Sequence, residues 1–476
     1  MKKKAKDMVS NMIKLGYCPT RRDVFSREEA IKYNEKIRRK MNDFQCEIVD
    51  LEGINEEKLL YQDCDIQKII DRFIDQRVDA LFFPHCNFGS ENRVAEVAKA
   101  LNVPVLIWGP RDDAPDENGL RSRDSQCGMF ATGKVLRRYN VAFTYLTNSW
   151  IDSDDFKCGM EKFLAVANVV KSLKDTRILQ ISTRPEPFCS VICNENELIE
   201  KFNIHIYPVT LNELLKKMNQ LQRNDVEIKE TISFIKKIDR IGDEEKIYKT
   251  AALKVAMKEL AKEYRCNAIA IQCWSSIQDM IGIMPCLANS MLTDEGIPVA
   301  CETDIHGAIT AVMMQAVGMG KKNPFFADVT VRHPYNDNAE LLWHCGNFPY
   351  SLAKNKEKAS IGENKYNNDY YGVCEWELKE GDVTIARFDG DHGQYQLFVG
   401  EAHTTEGPEN VGSYVWIEVE DWVKWERKLV EGPYIHHVSV IYGKYGEILV
   451  EVCKYINGLQ PDVATPDEGS LLRRWY

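Results

Sequence analysis

The sequence has no apolar run approaching ~20 residues, so no segment reads as a transmembrane helix. It has no G-x-G-x-x-G after a strand and no Walker A lysine motif, which removes the usual dinucleotide and P-loop sites. It has no excess of positive charge: the net charge is −11 at pH 7. Phosphate backbones are bound by concentrated basic surface, so a nucleic-acid partner is not expected. No CxxC pair occurs among its 15 cysteines, an odd number scattered from Cys18 to Cys453. The one close pair, Cys189 and Cys193, lacks the rest of a zinc framework. The opening MKKKAKDMVSNMIKLGY has no apolar h-region, so no signal peptide is expected. These absences predict a reduced, cytoplasmic enzyme whose cysteines pack as small buried hydrophobes. Internal repeats and low-complexity tracts are also missing.

What is present is an α/β pattern that gives way to a β pattern. A chain of 476 residues allows about three domains at roughly 150 residues each. FQCEIVDLEGI (44–54), ALFFPHCN (80–87), VPVLIWGP (103–110) and YNVAFTYLTNSW (139–150) read as strands around a helical ENRVAEVAKALN (91–102). A helix over Ser153–Lys174 leads to a second series: RILQIST (177–183), IHIYPVT (204–210), NAIAIQCW (267–274) and IPVACETD (297–304). The charge-dense 223–249 between them reads as a solvated helix face. From about residue 325 helical periodicity fades. FFADVTVRH (325–333), DVTIARF (382–388), YQLFVG (395–400) and SYVWIEVED (413–421) alternate as antiparallel strands do, separated by polar stretches such as 355–372. A helix near Glu447–Ile456 is expected to end the chain. The predicted fold class is therefore two Rossmann-like parallel-sheet α/β domains, 1–165 and 166–324, followed by a β-rich, barrel-like C-terminal domain, 325–476.

Chemistry-bearing residues gather at and after the domain change. ACETDIHGAIT places Glu302, Asp304 and His306 just past an apolar strand, where α/β sheets form sites. FADVTVRH contributes Asp328, LLWHCGNFP contributes His344, and GPYIHHVSVIYG offers the adjacent His436 and His437. Carboxylates and imidazoles together suit a divalent metal of intermediate hardness such as Mn²⁺. Paired histidines in a strand point to opposite faces, so only one of the two can enter a site. A second group sits earlier. Arg21 and Arg22 precede the first helix, Asn87 lies between a strand and a helix, and Arg121 and Arg123 lie in a long polar loop. Such loops suit a polyol or an anion.

These segments together resemble the L-fucose isomerase and L-arabinose isomerase superfamily, most closely its L-fucose isomerase-like branch. GLRSRDSQCGM, ACETDIHGAIT, FADVTVRH, WHCGNFP and GPYIHHVSVIYG carry the resemblance, in the family's order along the chain. It implies a metal-dependent aldose–ketose isomerase working through a cis-enediol, with Mn²⁺ as the expected metal. Glu302 matches the first acid of the family's E-x-D motif, and Asp328 the acid of the following strand. Both are implied as metal ligands and as the catalytic acid/base pair. His437 matches the C-terminal histidine ligand, with His436 as its alternate. His344 resembles the extra histidine ligand of the arabinose isomerases. Arg21, Arg22, Asn87, Arg121, Arg123, Gln272, Trp274 and His436 are the expected sugar-binding residues. The family implies a homo-oligomer, trimer or hexamer, with its site near a subunit interface. The expected substrate is a deoxyhexose, pentose or related sugar. The arginines raise an anionic alternative, the sulfonated hexose sulfoquinovose, which some members of this branch isomerise. A non-catalytic cytoplasmic sugar-binding module is the competing class, and such a module would not need the carboxylate–histidine set.

Overall fold

A computed structural model describes residues 12–366 and 369–466. The chain divides into two units, one ending at Lys171 and one beginning at Ser172. The helix Asp154–Lys174 spans this division and also the boundary expected at 165/166.

The first unit is built on a five-stranded parallel sheet. Its strands are β1 (Ile13–Tyr17), β2 (Cys46–Val49), β3 (Ala80–Pro84), β4 (Val105–Trp108) and β5 (Thr144–Tyr145), in the order β2-β1-β3-β4-β5. Every residue of β3 and β4 is buried, because helices cover both faces of a parallel sheet and leave no polar side. The expected strands at 44–54 and 139–150 shrink to four residues and two. Both lie at sheet edges, where only one neighbour supplies ladder hydrogen bonds. The helix Ser125–Arg138 passes directly against the loop after β3. A Cβ on Gly128 would lie 1.6 Å from the Phe88 carbonyl oxygen, so only glycine permits that approach.

The second unit opens with a four-stranded parallel sheet. Its strands are β6 (Arg177–Ile181), β7 (His205–Val209), β8 (Ala268–Ile271) and β9 (Val299–Ala300), in the order β7-β6-β8-β9. The charge-dense 223–249 falls on the helices Val226–Ile238 and Glu244–Glu263. The next strands are β10 (Phe325–Arg332), β11 (Ala339–His344), β12 (Ser360–Glu363), β13 (Tyr371–Glu377), β14 (Asp382–Asp391), β15 (Gln394–Thr405), β16 (Ser413–Glu418), β17 (His437–Tyr442) and β18 (Leu459–Thr465). Six of them follow the order β16-β11-β10-β17-β14-β15, and a β15–β16 pairing closes the ring into a barrel. The hairpin β12–β13 joins on β16, and β18 pairs in parallel with β15. One apolar cluster runs from Leu179 and Ile271 of the sheet to Phe325, Leu342 and Val415 of the barrel. Sheet and barrel thus share a core. The helix Ile305–Val317, buried along nearly its whole length, packs on both.

Three expectations are corrected here. The segment 355–372 is no mere spacer, since it holds β12, while Asn367 and Asn368 lie outside the described residues. The chain does not end on its last helix, which spans Gly446–Cys453, but adds β18 along the barrel edge. The cysteines are all free, yet Cys64, Cys127, Cys158 and Cys189 are exposed rather than packed. The first three ride on helices whose opposite faces are the buried ones. Among the described residues no helix is long and apolar enough to cross a membrane.

Candidate active site

The second sheet ends its strands against the barrel, and the acids sit there. After β9 the chain leaves the ladder through Glu302 and Thr303, both with left-handed backbones at φ 52° and 59°. That conformation is strained for a β-branched threonine. It is held by the Thr303 N–H on the Ile271 carbonyl (3.0 Å) and the Thr303 hydroxyl on the Thr183 carbonyl (3.1 Å). The turn buries the Glu302 side chain and points it at two barrel strands. Its Oε2 lies 3.7 Å from His344 Nε2 and 3.7 Å from His437 Nε2. Asp328 faces His437 across the β10–β17 ladder, with Oδ1 3.6 Å from His437 Nε2. The ring of Phe326 backs both histidines.

The two histidines present different nitrogens. His437 Nδ1 lies 2.9 Å from Asp304 Oδ2. Asp304 is ionised and can only accept, so Nδ1 carries a proton, and in the neutral ring Nε2 keeps a lone pair facing Glu302 and Asp328. At His344 the Cys345 N–H donates to Nδ1 at 2.9 Å, so in the neutral ring the proton sits on Nε2. In their neutral forms, His437 thus turns a bare Nε2 and His344 a protonated Nε2 toward Glu302.

Asp304 is the hub of a buried chain of charges. Its Oδ1 caps the helix Ile305–Val317 through the Gly307 N–H (2.9 Å), and both its oxygens pair with Arg387. Arg387 also pairs with Asp389 (2.7 Å), and His306 Nδ1 reaches Asp389 Oδ1 at 2.7 Å. Arg387 and Asp389 stand two apart on β14 and so share one face. Burial pushes the Asp304 and Asp389 carboxyls up, but Arg387 beside them holds Asp304 well below the usual carboxylate range and lowers Asp389 too. Burial likewise raises Glu302, and His344 and His437 bring it back below the glutamate range.

The donor set fits a divalent cation. Glu302 Oε2 and Asp328 Oδ1 are buried without a hydrogen-bond partner among the described residues. They stand 3.7 and 3.6 Å from His437 Nε2, too far for hydrogen bonds, and flank that nitrogen. Asp328, His436 and His437 also form a group whose ligand atoms all lie within 4.8 Å of one another. His436 is exposed beside the buried His437. On the far side of Glu302, Cys273 from the end of β8 donates its S–H to Oε1 at 3.0 Å.

The other expected residues are spread more widely. Gln272 is nearly buried and accepts the Ser182 hydroxyl at 2.7 Å, joining the ends of β6 and β8. Trp274 is 41% exposed and packs edge-on against Phe188. In the first unit Arg21 is buried between Glu57 (2.5 Å) and Asp23, and Arg123 lies over the Tyr33 ring with Asp112 and Asp113 at 3.5 Å. Arg22 stacks on Phe88 and pairs with Glu91, and Arg121 is exposed beside Asp124. Asn87 accepts the Arg22 N–H and donates to the Arg22 and Ser26 carbonyls, which ties the β1 and β3 loops together. Arg387, Asp389 and Cys273 were not singled out from sequence. The available signal was two charges, two apart, inside an otherwise apolar strand.

Residues 16–174 match the family model for the fucose/sulfoquinovose isomerase N-terminal domain, and residues 342–459 that for the L-fucose isomerase C-terminal domain. The chain belongs to the L-fucose isomerase-like family. As a member it is an aldose–ketose isomerase. It is similar to the sulfoquinovose isomerase of Priestia aryabhattai, 26% identical over 455 residues, which are 93% of this chain and 97% of that protein. The sulfoquinovose isomerase of Alkalicoccus urumqiensis is 25% identical over 80% of this chain and 85% of its own length. That of Clostridium sp. (strain MSTE9) is 20% identical over 76% and 81%. Within this L-fucose isomerase-like chain, His344 and His437 fall inside the C-terminal match, while Glu302 and Asp328 lie between the two matched spans.

Proposed function

We propose that this isomerase interconverts sulfoquinovose and its ketose. The substrate reading rests on the sulfoquinovose isomerases that align with nearly the full chain. The chemical reading rests on one observation: Glu302 Oε2 and Asp328 Oδ1 each stand within 3.7 Å of His437 Nε2 while both carboxylate oxygens lack hydrogen-bond partners among the described residues.

Isomerisation takes a proton from C2 of the aldose and returns one to C1 through a cis-enediol. Glu302 and Asp328 come from different elements, one after a sheet strand and one on the barrel. Placed on either side of the C1–C2 bond, they act as the base and acid pair. Glu302, Asp328 and His437 would hold a divalent cation, Mn²⁺ being the best match in hardness. When bound it supplies polarisation of the carbonyl and charge stabilisation of the enediolate. His344, with its proton on Nε2, donates to a substrate oxygen. Asp304 fixes the His437 ring so that its lone pair faces the site.

The test is a substrate panel with Mn²⁺-loaded protein, following ketose formation from sulfoquinovose, L-fucose and D-arabinose by NMR. Sulfoquinovose is expected to turn over fastest, and Glu302→Gln and Asp328→Asn to abolish turnover. Turnover of neutral sugars alone overturns the substrate. Sugar binding with no turnover and no bound metal overturns the chemistry in favour of a binding module.

A further inference from the structure

Glu302 has two oxygens and two different neighbourhoods. Oε2 faces imidazoles and a carboxylate, whereas Oε1 faces thiols. Cys273 Sγ is 3.0 Å from Oε1 and accepts the Glu302 N–H at 3.4 Å. Ligand atoms of Cys273, Cys301 and Glu302 all lie within 4.8 Å of one another, and all three residues are buried. The second sulfur is held in place: the side-chain amides of Asn289 and Asn347 both donate to Cys301 Sγ, at 3.6 and 3.4 Å. This holding has a cost. The Oδ1 atoms of both asparagines are buried without a hydrogen-bond partner among the described residues. Simple core packing of a cysteine does not leave two amide oxygens unsatisfied.

We propose that Cys273 Sγ, Cys301 Sγ and Glu302 Oε1 form a second cation position, selective for a soft divalent ion such as Zn²⁺ or Cd²⁺, that competes with the isomerisation centre for Glu302. Hardness separates the two positions. Carboxylate and imidazole suit Mn²⁺, whereas a thiolate pair favours thiophilic ions. Uptake forms two metal–sulfur bonds and one metal–oxygen bond and releases the two thiol protons to solvent, so no oxidant or reductant is needed. A cation on Oε1 draws charge from the same carboxylate that offers Oε2 to the other centre, and so weakens binding there. The inhibitory consequence rests on the proposed isomerase chemistry, but the binding itself does not.

The experiment titrates Cd²⁺ into the metal-stripped full-length protein and reads thiolate-to-cadmium charge-transfer absorption in the ultraviolet. Wild type is expected to bind one equivalent tightly with this band. Cys273→Ser and Cys301→Ser should each lose it, leaving only the weak background from exposed cysteines. Excess Mn²⁺ should not displace the ion. X-ray absorption on the one-equivalent wild-type complex needs no variant and should show two sulfur neighbours. Only oxygen and nitrogen neighbours, or an equal band in the serine variants, overturns the proposal. A separate activity arm adds Zn²⁺ to Mn²⁺-loaded enzyme and expects inhibition relieved by a chelator. If Cd²⁺ binds through both sulfurs in a protein that turns over no sugar, the isomerase reading has failed and the soft site has not.

Discussion

Replacing Asp304 by Asn removes one charge and leaves the shape. Asn caps helices as well as Asp does, so its carbonyl still accepts the Gly307 N–H and the helix Ile305–Val317 keeps its start. Two other things change. Arg387, with no exposure, loses one of its two carboxylates. Removing a partner from a buried ion pair usually costs about 3–5 kcal/mol, and the retained Asp389 sets the expected loss near the low end, about 3 kcal/mol. The second change is at His437. An amide NH₂ facing Nδ1 donates to it, which moves the ring proton to Nε2 and removes the lone pair facing Glu302 and Asp328. Losing such an outer-shell partner costs roughly 10–100-fold in metal affinity. The assays are urea unfolding for stability and Mn²⁺ titration for affinity, with turnover read alongside. Asp304→Asn that binds Mn²⁺ as tightly as wild type would show that Asp304 does not set the His437 tautomer, and would refute the reasoning.

Three further outcomes are expected. His437→Ala should abolish tight Mn²⁺ binding, whereas His344→Ala should keep it and lose turnover, which equilibrium dialysis and a rate assay separate. Burial without a close partner pushes the Glu340 carboxyl from 4.5 up to about 7, so the fold holds a proton that the unfolded chain has released across that interval. Stability should then fall as pH rises through 4.5–7, by about 3 kcal/mol at most, and Glu340→Gln should flatten the profile in chemical denaturation at pH 5 and pH 8. Gly128→Ala should lower the stability of the first unit by about 3 kcal/mol, because its Cβ would overlap the Phe88 carbonyl; an unchanged thermal midpoint would count against that packing.

Strand and helix alternation was readable because buried parallel strands are continuous apolar runs, as in ALFFP and VLIW. The edge strands β2 and β5 were read too long, since composition does not reveal how many neighbours a strand has. The strands β1, β11, β12, β13 and β18 were missed. SIGE carries too few apolar residues to stand out, and LQPDVAT contains a proline that only an edge strand tolerates. Glu302, Asp328, His344 and His437 were visible as acids and histidines at strand ends. The split between the two histidines was not, because it depends on which neighbour each Nδ1 meets.

By itself the sequence determined the fold class, the family and the short set of residues able to carry the chemistry, since each follows from local pattern or from motif order. Tertiary structure alone decided the rest. The β10–β17 pairing that sets Asp328 opposite His437 joins strand positions 109 residues apart. The meeting of Glu302 with Asp328 and His437 joins a sheet strand end to two barrel strands, over separations of 26 and 135 residues. Arg387 reaches Asp304 across 83 residues, and Cys273 reaches Glu302 across 29. Local propensity cannot encode such contacts. They arise when one shared apolar core brings sheet and barrel together and leaves the buried charges only each other as partners.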